Sequence, residues 1–481
     1  MIIIDMQDSR KQNRALQMLR NLGIYAVGSV GSRLFTFLLV PIYSFFIDPG
    51  EFGYYDICLA TVMLLLPIIT MQLREGALRF LLDAQNDTER TRIVTYCIMT
   101  TLRNVAICTA IGVLFQFLFT IRYLWLTILF AIMFALFELV QQLLRGLGHT
   151  KLFATCGVIY SILVFAISVP LVVWTDMGVE GVFWGNILAR AITMLIAEYK
   201  VKIFSNFISR NIDTKDVGRE LMRYCLPMIV VNLIVIFIGT SNRFFIEHFL
   251  GLHDNGMYAV AVKFASVLEA LALIVNQTWQ ETAIRLYGDS DRDVFYTKVL
   301  NAYIWTLVVL VVGISFVVRL LYGYIVGPEY QESVWLVYPL VLSSMFLSLL
   351  VFYDMGYHCS KNTSRQLPCL FMALVISIVT NYLFTIQWGI YGIVASINVT
   401  YLFMLIYKMI DTRKYMLLNI DSYSIIMLML LILSGIMYYV LYDTLFIAAY
   451  LVAAFAVAII ACPGYIKHFL AEKLNLKTNR R

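Results

Sequence analysis

Fourteen apolar stretches of about twenty residues or more follow one another along this 481-residue chain. A stretch of this length is long enough to cross the hydrocarbon core of a bilayer as a helix. Only 14% of the residues are charged, whereas about 25% is usual in soluble domains. We therefore predict an all-α polytopic membrane protein with about fourteen spans, at residues 23–47, 53–73, 93–119, 122–144, 152–174, 181–204, 221–249, 257–284, 295–320, 333–355, 366–387, 389–410, 423–442 and 444–467.

The lysines and arginines predict the orientation of these spans. If the amino terminus lies in the cytoplasm, 29 of the 36 fall in inside segments and two, Arg122 and Arg319, fall in outside loops. Cytoplasmic loops of membrane proteins carry such an excess of cationic residues. A helix missed in the middle of the chain would destroy this asymmetry, so the count and the orientation support each other. Both termini are predicted to be cytoplasmic.

The spans divide into two similar halves. Glycines recur in matching places between spans, as the pairs Gly53 and Gly256, Gly178 and Gly389, and Gly181 and Gly392. We predict two six-helix lobes, related by a pseudo-two-fold axis along the membrane normal, plus two C-terminal helices. The alternative is that glycine-rich turns between hairpin helices look alike without a repeat. The predicted parts are an N-terminal arm, an N-lobe, a linker, a C-lobe, two further helices and a basic tail, at 1–22, 23–206, 207–220, 221–410, 411–468 and 469–481.

The sequence lacks the motifs typical of nucleotide hydrolysis and of several metal sites. The chain has no phosphate-binding GxxxxGK[ST] loop and no HExxH motif, and its eight cysteines form no CxxC pair. The five histidines are dispersed near span ends, where an interfacial position is commoner than metal ligation. We expect no enzyme activity, no metal, no cofactor and no nucleic-acid partner.

Five cations fall within predicted spans. Unpaired in lipid they would together cost about 10–15 kcal/mol, so they must face a wet cavity, be paired or reach the interface. On three spans the helical period places such a cation on one face with polar neighbours. The residues predicted to line a lumen are Arg33, Arg243, Arg190, Lys263, Arg103, Ser29, Asn186 and Asn232.

Less specific interpretations remain open for several of these cations. Arg243 and Glu247 are four residues apart and can neutralise each other. Arg103 and Lys263 are close enough to span ends to reach the interface. Among the acids, Glu269 and Glu138 are the candidates for coupling to an ion, whereas Asp56 is near enough to a span end to be interfacial.

Arginine suits phosphate because its planar guanidinium can donate two hydrogen bonds. A cavity that combines arginines with Ser, Asn and Gln side chains fits a substrate carrying phosphate and many hydroxyls. A lipid-linked sugar pyrophosphate is such a substrate.

The chain resembles the Wzx-type polysaccharide repeat-unit flippases of the multidrug/oligosaccharidyl-lipid/polysaccharide exporter superfamily over roughly residues 15–470. The resemblance rests on the order of several short motifs: Ser32-Arg33, Pro41-Ile42-Tyr43, Gly53-Tyr54, Asn242-Arg243-Phe244-Phe245-Ile246, Gly256-Met257-Tyr258 and Gln277-Thr278-Trp279-Gln280-Glu281. It implies a V-shaped bundle with a cationic central cavity that opens alternately to each face. It also implies a bacterial cytoplasmic-membrane protein that moves undecaprenyl-pyrophosphate-linked oligosaccharides outward for capsule, exopolysaccharide or O-antigen synthesis.

Departures from the patterns of related families leave the partner of Arg243 open and argue against lipid II and drugs as substrates. Many relatives have Asp-Arg where this chain has Asn242-Arg243. Lipid II flippases carry an Arg–acid pair late in the first span, where this chain has Leu39-Val40-Pro41-Ile42. Drug antiporters usually carry an acid in the first span, and here none precedes Asp48.

Two other functions stay open, namely a cation-coupled exporter of small molecules or drugs and a membrane scaffold for polysaccharide assembly. The expected partners are the lipid-linked oligosaccharide, membrane lipids, and a polysaccharide polymerase with other assembly proteins. The expected oligomeric state is a monomer.

Overall fold

The computed structural model describes residues 38–119, 121–208, 212–360 and 362–462. These residues are almost entirely helical. The α-helices are α1 (38–46), α2 (Pro49–Thr70), α3 (Leu73–Asp83), α4 (Asp87–Leu118), α5 (Leu124–Gly146), α6 (Thr150–Val173), α7 (Val179–Val201), α8 (Ile203–Asn206), α9 (Lys215–Phe249), α10 (Leu252–Leu286), α11 (Arg292–Ile325), α12 (Val334–Cys359), α13 (Leu367–Asp411), α14 (Ser422–Val440) and α15 (Thr444–Ile460). Short 3-10 turns lie at Pro328–Ser333, Thr363–Gln366 and Thr412–Lys414.

The helices lie where the hydropathy predicts them. Eleven helices in the described ranges are long and apolar enough to cross a membrane. One of them, α13, joins two predicted spans across a kink at Gly389. Of the first predicted span, 23–47, the described residues include α1 (38–46), and the last predicted span corresponds to α15, which has 17 residues. The all-helical membrane fold is confirmed, and the exact number of fourteen spans stays a prediction.

Capping residues explain how these helices begin directly after short loops. Asp48 accepts hydrogen bonds from the backbone of the first turn of α2, and Asn86 does so for α4. Asp421 and Asp443 cap α14 and α15 in the same way. A cap satisfies N–H groups that have no partner inside the helix. Each helix therefore starts at a position set by its own sequence.

The predicted correspondence between two glycine turns is visible in the backbone. Gly178, before α7, has φ 52° and ψ −125°, and Gly389, inside α13, has φ 59° and ψ −135°. This conformation is readily available only to glycine. In the second turn the helices also approach so closely that a Cβ on Gly392 would lie 1.9 Å from the Phe384 carbonyl oxygen. The two turns thus have the same local design, and the division into six-helix lobes stays a prediction.

Contacts divide the described residues into two compact units. We call 38–259 the N-terminal unit and 260–462 the C-terminal unit. In the N-terminal unit, α9 packs on α2, α3 and α4, and α5 packs on α2, α3 and α7. Fully buried side chains at the ends of these helices include Cys97, Leu143 and Leu221.

In the C-terminal unit, the hairpin of α14 and α15 packs on α11 and α12. Side chains of α11 and α12 donate hydrogen bonds to backbone carbonyls of this hairpin. Tyr338 donates to Leu431 at 2.5 Å, Trp305 donates to Ala458 at 2.9 Å, and Arg319 donates to Leu441. The C-terminal helices are therefore an integral part of this unit.

Candidate functional site

A buried ion pair joins α9 to α2 in the N-terminal unit. Arg243 Nε donates to Asp56 Oδ2 at 2.6 Å, and Nη1 donates to the Gly239 carbonyl at 3.3 Å. The guanidinium also lies 5.5 Å from the centre of the Tyr258 ring. Asp56 is only 3% exposed, so its carboxylate is enclosed by protein, and its expected position near the membrane interface stays a prediction. The structure thus gives Arg243 a partner from another helix, Asp56, whereas the sequence suggested Glu247 of the same helix.

Two glycines beside this ion pair let the ends of α2 and α10 cross with their backbones in contact. A Cβ on Gly53, in α2, would lie 2.0 Å from the Leu252 carbonyl oxygen, and a Cβ on Gly256, in α10, would lie 1.9 Å from the Pro49 carbonyl oxygen. Asn255 donates from its amide to the Gly53 carbonyl at 2.7 Å. These two glycines were paired by the predicted repeat, and here they touch each other's helices reciprocally.

Arg190 of α7 lies in a cage of aromatic rings. Its guanidinium carbon is 4.5 Å from the centre of the Phe134 ring, 4.7 Å from Tyr160 and 5.0 Å from Phe130. Nη1 donates to the Asn186 side-chain oxygen at 3.1 Å, and the Tyr160 hydroxyl donates to the same oxygen at 2.9 Å. Cation–π contacts of this kind are strongest where water is excluded, and Arg190 is only 5% exposed.

No carboxylate in the described ranges forms an ion pair with Arg190. Its Nε is buried without a hydrogen-bond partner there, and the ion pairs of these residues do not include it. Asp56 is the one buried acid of the described chain, and it is taken by Arg243. The N-terminal unit thus holds two shielded arginines and a single buried carboxylate, which leaves a net positive charge in its interior.

The other predicted residues of the N-terminal unit do not join this cluster. Arg103 is exposed on α4. Asn232 donates to the Met228 carbonyl of its own helix. Glu138 pairs with Arg74 of α3 at 3.0 Å. Arg33 and Ser29 lie outside the described residues, so their predicted role in the lumen stays a prediction.

Two predicted residues belong to the C-terminal unit. Glu269 of α10 accepts a hydrogen bond from the Ser344 hydroxyl of α12 at 2.9 Å. Lys263 is half-buried one and a half turns earlier on α10, and its carbonyl accepts from Ser266. Since Glu269 is partly buried and hydrogen-bonded, it keeps the features expected of a proton-binding group, and its role stays a prediction.

Sequence reasoning missed a second buried ion pair. Lys408 Nζ of α13 lies 2.5 Å from Asp354 Oδ1 of α12, and Lys408 is 3% exposed. Lys408 was predicted to be a cytoplasmic cation, and Asp354 was not among the recognised acids of the spans. An acid within the apolar run VFYDMGY was the available signal.

Arg319, predicted in an outside loop, lies near the C-terminal end of α11. Its position relative to the membrane stays a prediction. Its guanidinium is 4.7 Å from the Trp335 ring centre and 4.9 Å from that of Tyr438. It donates to the Leu441 carbonyl beyond the end of α14, so it holds the C-terminal hairpin in place.

The sequence profile of a family described as "Polysaccharide biosynthesis protein" matches residues 18–279 of this chain. The chain belongs to the polysaccharide biosynthesis protein family. The matched range includes the aromatic cage around Arg190 and the Arg243–Asp56 pair. Among proteins of curated function, none matches the chain in sequence.

Solved structures show that this family member has the fold of membrane transporters. The lipid II flippase MurJ, in an inward closed conformation, aligns with a TM-score of 0.69 at 11% identity, over 93% of this chain and 99% of that chain. An inward-facing multidrug resistance MATE family transporter of the MOP superfamily aligns with a TM-score of 0.60 at 13% identity, over 80% and 95%. A mutant of the Vibrio cholerae MATE transporter VcmN gives 0.59 at 14% identity, over 84% and 98%. At these identities the similarity establishes the fold alone.

Proposed function

We propose that this protein is a flippase for undecaprenyl-pyrophosphate-linked oligosaccharides. It moves repeat units from the inner to the outer face of the bacterial cytoplasmic membrane for capsule, exopolysaccharide or O-antigen synthesis. The main support is the unbalanced buried charge of Arg190, because an anionic substrate is what such a charge attracts inside a membrane. Membership of the polysaccharide biosynthesis protein family agrees with this substrate class.

The low dielectric of the membrane interior makes the charge balance important. A positive charge that neither water nor a carboxylate neutralises acts strongly over several ångströms. The diphosphate of the carrier lipid supplies the missing negative charge as it passes. Arg33, which the sequence places in the first span, is proposed to add to the same field.

The contact between α2, α9 and α10 is the proposed outer closure. By the predicted topology, Gly53, Asp56 and Gly256 lie near the outer ends of their helices. The Arg243–Asp56 pair and the glycine crossing hold these ends together in the present conformation. Alternating access requires that they separate once per cycle, and the phosphates are a competing partner for Arg243 at that moment.

A cation-coupled exporter of drugs or small molecules is the second candidate, because Glu269 is a partly buried acid held by Ser344. In that case Glu269→Gln abolishes export of a toxic cation while polysaccharide synthesis continues. In the flippase, the glutamate affects export only through energy coupling.

The deciding experiment is a clean deletion, complemented with the wild type, Arg190→Gln or Arg92→Gln. Surface polysaccharide and lipid-linked intermediate are measured together, with the amount of protein in the membrane as a control. We expect the deletion and Arg190→Gln to lose surface polysaccharide and to accumulate the intermediate inside. Arg92→Gln is the matched control, since Arg92 is an exposed arginine of the same unit that is not a predicted lumen residue.

Normal polysaccharide in the deletion strain, without a second flippase, would overturn the proposal. Normal export by Arg190→Gln at wild-type protein levels would overturn the role given to the buried charge.

A further inference from the structure

A cavity of about 240 Å³ opens at one end of the C-terminal unit. Helix α13 turns back at Gly389, where the Thr380 and Ser396 hydroxyls of its two arms meet at 2.6 Å. Its beginning and its end therefore lie on the same membrane face, together with the end of α12. By the predicted orientation this face is cytoplasmic. The cavity is lined by Tyr353, Met409, Thr412, Arg413, Met416, Leu418, Asn419 and Ile420.

Two hydrogen-bond donors of the lining have no acceptor in the described part of the protein. Tyr353 is only 5% exposed, and its hydroxyl makes no hydrogen bond with a described residue. Arg413 is exposed and has neither a carboxylate nor a hydrogen-bond partner there. Both side chains line the cavity, so their donors are available to an acceptor that enters it.

The neighbouring charges do not supply that acceptor. Asp354 is paired with Lys408, and Asp411 is paired with Lys414 and accepts from the Tyr357 hydroxyl. Each nearby carboxylate is thus already held by other groups. An anion that enters the cavity would meet two donors, Arg413 and Tyr353, that none of these carboxylates holds.

The rest of the lining suits an amphiphile. Met409, Met416, Leu418 and Ile420 form an apolar part beside the two donors. Basic pockets between membrane helices at the cytoplasmic face are typical sites for anionic lipid headgroups. We propose that this cavity binds the phosphate headgroup of an acidic phospholipid, which accepts from Tyr353 and Arg413 and lays its apolar part on the methionines and Ile420.

Lipid binding at this site is a property separate from the proposed transport function and does not depend on it. A bound lipid would bridge α12, the end of α13 and the segment that leads into α14. It would act as a resident lipid of the C-terminal unit whatever molecule is transported.

The test uses the full-length protein, reconstituted into nanodiscs that contain equal amounts of phosphatidylglycerol and phosphatidylcholine and then released from them. Native mass spectrometry counts the lipids that each protein retains. Tyr353→Phe removes one hydroxyl, Arg413→Gln removes the charge, and Ile420→Trp fills the cavity. Arg365→Gln is the matched control, because Arg365 is an exposed arginine near the same face that does not line the cavity.

We expect selective retention of phosphatidylglycerol by the wild type and by Arg365→Gln. A neutral hydrogen bond predicts a loss of roughly two- to tenfold for Tyr353→Phe, and a charged one predicts at least about tenfold for Arg413→Gln. Ile420→Trp should abolish selective retention.

Three results would overturn the proposal. One is equal retention of the two lipids by the wild type. Another is an equal loss in Arg413→Gln and Arg365→Gln, which would indicate a general basic surface. The third is displacement of the lipid by inorganic phosphate at equal concentration, which would indicate a simple anion site.

Discussion

Arg190 and Arg243 are shielded in the same unit by opposite means. Arg243 donates to a buried carboxylate at 2.6 Å, and Asp56 neutralises its charge. Arg190 is surrounded by rings of Phe130, Phe134 and Tyr160 that stabilise a cation without neutralising it. An aromatic cage therefore keeps a charge available where an ion pair removes it. The aromatic cage suits attraction of an anion, and the ion pair suits a contact that opens and closes.

The largest effect is expected from breaking the ion pair. Removing one partner of a buried pair typically costs about 3–5 kcal/mol, since the other charge stays buried. We expect Asp56→Asn and Arg243→Gln each to lower the free energy of unfolding of the purified protein by about this amount. Chemical denaturation in detergent measures it.

The double variant Asp56→Asn/Arg243→Gln should lose clearly less than the sum of the two single variants. Additive losses would contradict a direct pair. The control is Asp87→Asn, whose exposed ion pair with Arg90 should contribute about 1 kcal/mol or less.

The next largest effect concerns the charge of Arg190. Arg190→Lys keeps the positive charge but loses the planar group that lies over the rings. If the field of the charge drives export, this variant should retain most surface polysaccharide, whereas Arg190→Gln should fall by at least about tenfold. Equal loss in both variants would show that ring packing, and not charge, is the function of Arg190.

A smaller effect is expected from the ring nearest to Arg190. Phe134→Leu removes a cation–π contact at 4.5 Å, for which about 0.5–2 kcal/mol is typical. The loss of stability should shrink when Arg190 is already glutamine, because the ring then has no cation to contact. An unchanged loss in that background would mean that the ring acts through packing alone. Phe115→Leu, at an exposed ring of α4, is the control.

The smallest effect is expected from Tyr160→Phe. The change removes the hydroxyl that donates to Asn186 at 2.9 Å but leaves the ring over Arg190. A neutral hydrogen bond contributes about 0.5–1.5 kcal/mol. We expect a loss of stability in this range with export nearly unchanged, and no effect of Tyr199→Phe, whose side chain is exposed. A large loss of export in Tyr160→Phe would assign the hydroxyl a direct role.

Local properties of the sequence predicted the helices well, because the length and hydropathy of a span depend only on consecutive residues. The same holds for the turns at Gly178 and Gly389, since each is fixed by a backbone conformation at one residue. The family resemblance agreed with the profile match and with the transporter fold.

Pairing between helices was not predicted in the same way. Asp56 and Arg243 are 187 residues apart, and helical phase shows only which residues share a face of one helix. Lys408 was placed in the cytoplasm because it lies near a span end. Only the packing of α13 on α12 shows that it is buried in an ion pair with Asp354. The cage of Arg190 was missed for the same reason, since its rings come from α5 and α6.

The attachment of the C-terminal hairpin has a consequence for how this protein changes in evolution. Its acceptors are the carbonyls of Leu431, Leu441 and Ala458, while Tyr338, Arg319 and Trp305 are the donors. Every amino acid has a carbonyl, so these three bonds do not depend on the identity of the acceptor side chains. Leu431 and Ala458 are nevertheless buried, and Tyr438 of the hairpin donates back to the Val334 carbonyl of α12. Selection for attachment therefore falls on the donors and on the buried face. The exposed face of the hairpin can adapt to a new lipid composition without being released from the unit that holds it.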